Sequence, residues 1–219
     1  MKLFHNEEIY IKTDNFSDSI FKESTMFFDI ETTGFSPVKA IVYMIGCARR
    51  IKNRIVIDQY FAESVDDEAA VIEAFAGSLS GCSTIISFNG VGFDIPFLKN
   101  KYKKYKQDDP FCNVQILDIF KELSPIKPLL CLENYKQKSI EAFLGIDRDD
   151  KYSGGELINV YYEYLAQNDD KKLCACRDIR GGIAPFLQRL QKLLLSAKGG
   201  HGHTQERRSI CRPRIPRKM

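Results

Sequence analysis

Tryptophan is missing from all 219 residues, histidine occurs three times, and no two cysteines stand in a C-x-x-C arrangement. The seven cysteines, at 47, 82, 112, 131, 174, 176 and 211, are odd in number, and several sit inside apolar runs. That pattern argues against a disulfide framework or a cysteine zinc site and reads as reduced, mostly buried thiols. No apolar stretch reaches the roughly 18–20 residues that a membrane span needs. Only Met1-Lys2-Leu3-Phe4 has apolar character at the start, and acids soon follow, so no secretory leader is expected. The expectation is a cytoplasmic protein with no membrane attachment. Strong basicity is also missing from the body of the chain. The formal charge is +3, but residues 198–219 hold seven Lys or Arg against one Glu, so residues 1–197 carry about −3 by subtraction. Nucleic acid bound by the body would therefore need local Lys/Arg clusters and bridging metal ions.

What is present suits one substantial core, with 44% apolar and 28% charged residues. The chain is organised around Phe27-Phe28-Asp29-Ile30-Glu31-Thr32-Thr33-Gly34. An apolar, β-prone run carries two acids at alternate positions and stops at a glycine. Residues i and i+2 of a strand share a face, so Asp29 and Glu31 project together just before a turn. Two close carboxylates repel and are costly to bury, and a hard divalent cation such as magnesium or manganese removes that cost. An exposed strand face, or an acid capping the next turn, would use the same residues.

Residues 1–24 are mixed and polar and read as an N-terminal extension. Strands are predicted over about 26–32, 40–48 and 54–61, the last two joined by a turn at Lys52-Asn53, making an antiparallel meander. Helical spacing over 66–80, a short buried strand at 83–88, a helix from Asp94 to Lys106 and a fifth strand at 114–119 predict a parallel half. Pro96 is tolerated in a first helical turn. A short helix at 139–146 closed by Gly145, an aromatic-rich helix from Glu156 to Gln167, and a last helix to about Leu195 follow. In that aromatic-rich helix Tyr161, Tyr162 and Tyr164 read as packing residues. Residues 197–219, glycine-rich and then basic, read as a disordered tail in which His201, His203 and Cys211 carry no metal site.

The second chemical signal is Ser87-Phe88-Asn89-Gly90-Val91-Gly92-Phe93-Asp94. A buried strand ends, a glycine-rich turn permits close approach, and Asp94 opens a helix. Ligands of open α/β sheets bind off strand ends of this kind. Asp94 could equally be an N-cap and Asn89 a turn residue.

Taken together, Phe28-Asp29-Ile30-Glu31-Thr32-Thr33-Gly34 and Asn89-x-x-x-Phe93-Asp94 resemble the first two motifs of the DEDD superfamily of 3′–5′ exonucleases. Leu117-Asp118-Ile119, the stretch 138–146 and Tyr152-Ser153-Gly154-Gly155-Glu156 sharpen the resemblance to its YprB-like branch. The resemblance covers roughly residues 24–195 and implies a ribonuclease-H-like α/β fold, a five-stranded mixed sheet flanked by helices, with the domain at 25–196. It further implies that Asp29, Glu31 and Asp94 bind two Mg2+ or Mn2+ ions, that Thr32 and Gly34 sit beside a terminal nucleotide, and that Asn89 and Phe93 shape the cleft. The implied substrate is a single-stranded DNA or RNA 3′ end. The third motif departs. Family members carry His or Tyr four or five residues before a fourth metal-binding Asp. Here Asp178 is preceded by Cys174 and Leu173 at those positions. Asp178 is the expected fourth ligand, with Asp169 and Asp170 as alternatives.

Overall fold

The computed structural model of the chain describes residues 1–10, 21–145, 152–167 and 169–176. Within these residues six strands form one mixed sheet. They are β1 (Lys2–Ile9), β2 (Thr25–Thr32), β3 (Val42–Ile51), β4 (Arg54–Phe61), β5 (Thr84–Ser87) and β6 (Gln115–Asp118), in the order β1-β4-β3-β2-β5-β6. The pairs β1–β4, β4–β3 and β3–β2 are antiparallel, and β2–β5 and β5–β6 are parallel. The expected meander and parallel half are both present, as a ribonuclease-H-like α/β sheet.

The strand count differs from expectation: six, not five. Residues 2–9, read as an extension, pair along the whole of β4. An edge strand needs one ladder of backbone bonds and little apolar side chain, so its polar composition hid it. His5 Nδ1 lies 2.7 Å from Asp58 Oδ1 and ties this edge down.

The helices described are α1 (Glu68–Ser78), α2 (Asp94–Tyr105), the short α3 (Ile119–Leu123) and α4 (Lys127–Leu130), α5 (Gln137–Phe143), α6 (Gly154–Gln167) and α7 (Asp170–Cys176). Gly145, at φ 68°, closes α5 as expected. The course of the last helix to Leu195, and the tail from 197, lie outside the described residues.

Both sheet faces are covered. Met26, Phe28 and Ile30 of β2 face Phe75 of α1, Leu98 and Tyr102 of α2 and Tyr161 of α6. On the other face Phe27 and Ile86 pack with Ile119, Leu123 and Ile140. Tyr161 stacks on Tyr43 with ring centroids 4.3 Å apart, and Tyr164 is also buried. Tyr162 differs from expectation, being half exposed. The thiols differ too. Cys47 is buried, Cys82 intermediate, and Cys112 and Cys131 exposed.

Candidate active site

The C-terminal ends of the three parallel strands β2, β5 and β6 meet at one edge of the sheet. In β2 every residue but Asp29 and Glu31 is buried. Asp29 lies opposite Gly46 and Glu31 opposite Met44; the register then slips between Glu31 and Thr32, with Tyr43 of β3 as the extra residue. A bulge of this kind re-aims side chains at a strand end. Tyr43 Oη stands 3.5 Å from Glu31 Oε2.

Asp94 opens α2 but does not serve as its cap. It is 5% exposed, and its Oδ1 accepts from the Ile30 N–H of β2 at 3.3 Å. Burial, reinforced by the negative charge of Asp29 beside it, pushes the Asp94 carboxyl up to about 8. Two acids from segments more than sixty residues apart are thus held together in an apolar setting. That arrangement raises free energy unless a proton or a cation intervenes. No group of three or more His, Cys, Asp or Glu among the described residues is arranged as a finished metal cage. Still, Asp29 and Asp94 are in contact and Glu31 shares the strand face of Asp29. Their hard oxygen donors fit magnesium or manganese in kind.

The turn between β5 and α2 is built around close approach. Asn89 is left-handed at φ 61°, a conformation asparagine tolerates. A Cβ on Gly90 would sit 2.2 Å from Ser87 Oγ, and one on Gly92 would sit 2.7 Å from Asn89 Oδ1. A side chain at Gly90 would force Ser87 or the turn to move, and one at Gly92 would displace the Asn89 side chain. Asp118, at the end of β6, fastens the turn from below. Its Oδ1 accepts from Asn89 N at 2.9 Å and Phe120 N at 3.0 Å, and its Oδ2 accepts from Val91 N at 3.0 Å. Asp118 is therefore a positioning residue.

Thr32 donates its hydroxyl to the Gly34 carbonyl at 2.9 Å, shaping the turn after β2. Gly34 has room for a methyl group as far as the fold is concerned, since a Cβ would lie 3.5 Å from Ala40 Cβ. Next to it Phe35 is 90% exposed, and its ring meets Phe93 edge-on at 6.0 Å. Phe93 also packs on Phe97 at 5.5 Å, so it joins the core of α2 to the site's rim.

A buried ion pair holds these pieces in place. Lys101 and Glu68 are both fully buried, with Lys101 Nζ 2.8 Å from Glu68 Oε1. The ammonium also donates to the Ala40 carbonyl, and Glu68 accepts from Val42 N at 2.8 Å. Helices α1 and α2 and the β2–β3 loop are thereby clamped to one point. Burial would raise Glu68, but bonds from Lys101, Tyr105 and Val42 outweigh it and leave the carboxyl below its usual range. Burial lowers Lys101 despite its partner. With Lys104 Nζ 3.2 Å from Glu68 Oε2 as a fourth donor, the Glu68 anion is the well supported member of the pair.

Of the residues singled out in the sequence, Asp29, Glu31, Thr32, Gly34, Asn89, Phe93 and Asp94 gather around this sheet edge. Asp178 lies outside the described residues. Asp169 Oδ1 accepts from Lys171 N at 2.9 Å, as a helix-start residue does. Sequence reasoning missed Phe35, Lys101 and Glu68. A lone loop aromatic and two charges thirty-three positions apart give no pattern to read.

The family model for the RNase_H superfamily matches residues 26–176. The chain belongs to the RNase_H superfamily. This agrees with the resemblance carried by residues 28–34 and 89–94. Uncharacterized protein YprB of Bacillus subtilis (strain 168) is 27% identical over 82 residues, covering 37% of this chain and 20% of that protein. The chain thus spans about a fifth of that relative's length. Among solved structures, the family B DNA polymerase of the hyperthermophilic archaeon Pyrobaculum calidifontis is similar with a TM-score of 0.50 at 17% identity. That match covers 80% of this chain and 24% of the polymerase. An ExoI/SSB-Ct complex is similar at 0.44 and 13%, over 68% of this chain and 42% of that one. The polymerase likeness, at this identity, is one of fold alone. No helix among the described residues is long and apolar enough to cross a membrane.

Proposed function

We propose that the chain is a metal-dependent 3′–5′ exonuclease that hydrolyses phosphodiester bonds at single-stranded DNA or RNA ends with two Mg2+ or Mn2+ ions. The observation that carries this reading is the buried contact of Asp94 with Asp29 at the end of β2, where Glu31 shares the strand face. Packing those carboxylates together costs free energy unless a proton or a cation sits between them, and of the two only a cation would bring chemistry to the sheet end. Bound there, divalent ions would supply Lewis acidity and a polarised water. The chain's own residues do the positioning. Asp29, Glu31 and Asp94, with Asp178 as a fourth, hold the ions. Thr32 fixes the turn, Gly34 leaves space for a terminal sugar, and the exposed Phe35 against Phe93 offers an apolar surface to a terminal base. Asn89 borders the cleft from the other side.

A second reading, a nucleic-acid-binding module with weakened turnover, is favoured by one specific feature: Leu173 and Cys174 stand where the family has His or Tyr. General bases contribute typically about 10²–10⁴-fold, so their loss slows hydrolysis without abolishing it. The test uses 5′-labelled single strands of DNA and of RNA, in magnesium and in manganese, beside an Asp29→Ala/Glu31→Ala variant. Stepwise shortening from the 3′ end that disappears in the variant is expected. Strand binding without shortening selects the second reading, and shortening that persists in the variant sinks the site.

A further inference from the structure

A second feature borders Asn89. A cleft of about 580 Å³ is lined by Phe88, Asn89, Phe120, Asn134, Tyr135, Lys136 and Gln137. It adjoins the glycine-rich turn that leads to Asp94, because Asn89 both lines the cleft and opens that turn. It also shares a sheet face with the acids. Phe27 of β2 pairs with Ile86 of β5, Asp29 shares the face of Phe27, and Phe88, just past the end of β5, packs on the cluster that Phe27 and Ile86 form.

The walls are aromatic and the charge is positive. Phe88 and Phe120 meet edge-to-face at 5.8 Å. The Lys127 ammonium lies 3.5 Å from the centroid of Phe120 and 5.2 Å from that of Tyr135. Tyr135 is pinned by its hydroxyl, which donates to the Lys127 carbonyl at 2.8 Å. Asn134 is pinned by its side-chain oxygen, which accepts from Ser139 Oγ at 2.6 Å. Among the described residues that line the cleft there is a lysine and no acid. Flat rings, a fixed amide and one lysine in the groove, with the Lys127 ammonium against its rings, match the base faces, base edges and phosphates of a polynucleotide, in a body whose net charge otherwise repels one.

We propose that this cleft is an upstream subsite, holding a nucleotide some positions 5′ of the scissile bond by packing its base against the aromatic wall of Phe88, Phe120 and Tyr135 and by pairing phosphate with Lys136 and with Lys127, which lies against that wall. The proposal deepens the nuclease reading and rests on it. It makes affinity a function of strand length. A strand too short to pass Asn89 uses the carboxylate site alone, whereas a longer one occupies both.

The test measures binding of fluorescent oligothymidylates of three, six, nine and twelve nucleotides, in calcium to slow hydrolysis, across a series of salt concentrations. Wild type is expected to tighten with length. Phe120→Ala should lose on the order of 10-fold to 100-fold for the longer strands, the range that stacking of one base supports, while its trinucleotide affinity matches wild type. Lys127→Gln/Lys136→Gln, which leaves the rings in place, should reduce the salt dependence for long strands only. Denaturation midpoints of both variants show whether the fold has been kept, and the lysine variant carries the test if Phe120→Ala unfolds. Variants that follow wild type at every length overturn the subsite and leave the nuclease reading standing. Wild type that binds no strand of any length overturns both.

Discussion

Asp94 is the residue on which the site's energetics turn. Its carboxyl is pushed up to about 8 from an ordinary value near 3.8, by burial first and by Asp29 second. The folded, metal-free chain therefore binds more protons than the unfolded one between those values. By linkage, stability then falls as pH rises through that window. Thermal melts in EDTA should show a midpoint that drops from pH 5 to pH 8, and manganese should restore it most at pH 8. Asp94→Asn should remove both the drop and the metal response; a slope unchanged in that variant would mean that the proton resides elsewhere. Gly34 poses a different residue-scale question. The fold has room for a methyl group there, so Gly34→Ala should melt like wild type. If a terminal nucleotide sits against this position, the same variant should lose on the order of 10²-fold in exonuclease rate, as small misplacements do. Equal rates would free Gly34 from any substrate role.

At the scale of elements, the Lys101–Glu68 pair decides how α2 is held against α1 and the β2–β3 loop. Lys101 lies seven residues after Asp94 on the same helix, so the pair fixes the helix that carries the acid. Breaking a buried pair typically costs about 3–5 kcal/mol because it strips a buried charge of its partner, and here Val42, Tyr105 and Lys104 still bond the Glu68 left behind, which sets the loss at the lower end. Lys101→Met should show a loss of that size in urea unfolding, and Lys101→Met/Glu68→Leu should recover part of it. An unchanged midpoint in the single variant would show the pair to be solvated and dispensable. The elements around the site were largely legible in the sequence. Asp29 and Glu31 announce themselves because a strand's two-residue period puts both on one face, and because acids are rare in an apolar run. Gly90 and Gly92 mark the turn, though only the structure shows what fills the space their missing side chains leave. The pair at 68 and 101 was illegible: charged residues on two helices look like solvent-facing ones until the helices are packed. Asp118 gave a weak signal as the end of a short strand, without revealing that its oxygens hold the turn at Asn89 and Val91.

For the whole molecule, the family match and the sheet do not begin at the same place. The match starts at residue 26, whereas the sheet starts at Lys2. Composition gave no warning, since β1 buries no side chain completely and carries His5, Glu7 and Glu8. Its contribution is to occupy the outer ladder of β4, whose residues 55–56 and 58–61 are buried. That outer strand is a guard against self-association. Charged side chains on an edge discourage pairing with another molecule, and a bare apolar edge invites it. A chain shortened to start at residue 24 should keep its helices and its carboxylate site yet become sticky. Light scattering at rising concentration should show it growing into aggregates while the full chain stays at constant size, and a shortened chain that stays dispersed would refute this. The first nine residues, on the strand farthest in the sheet order from β5 and β6, would then set the concentration at which the protein can work.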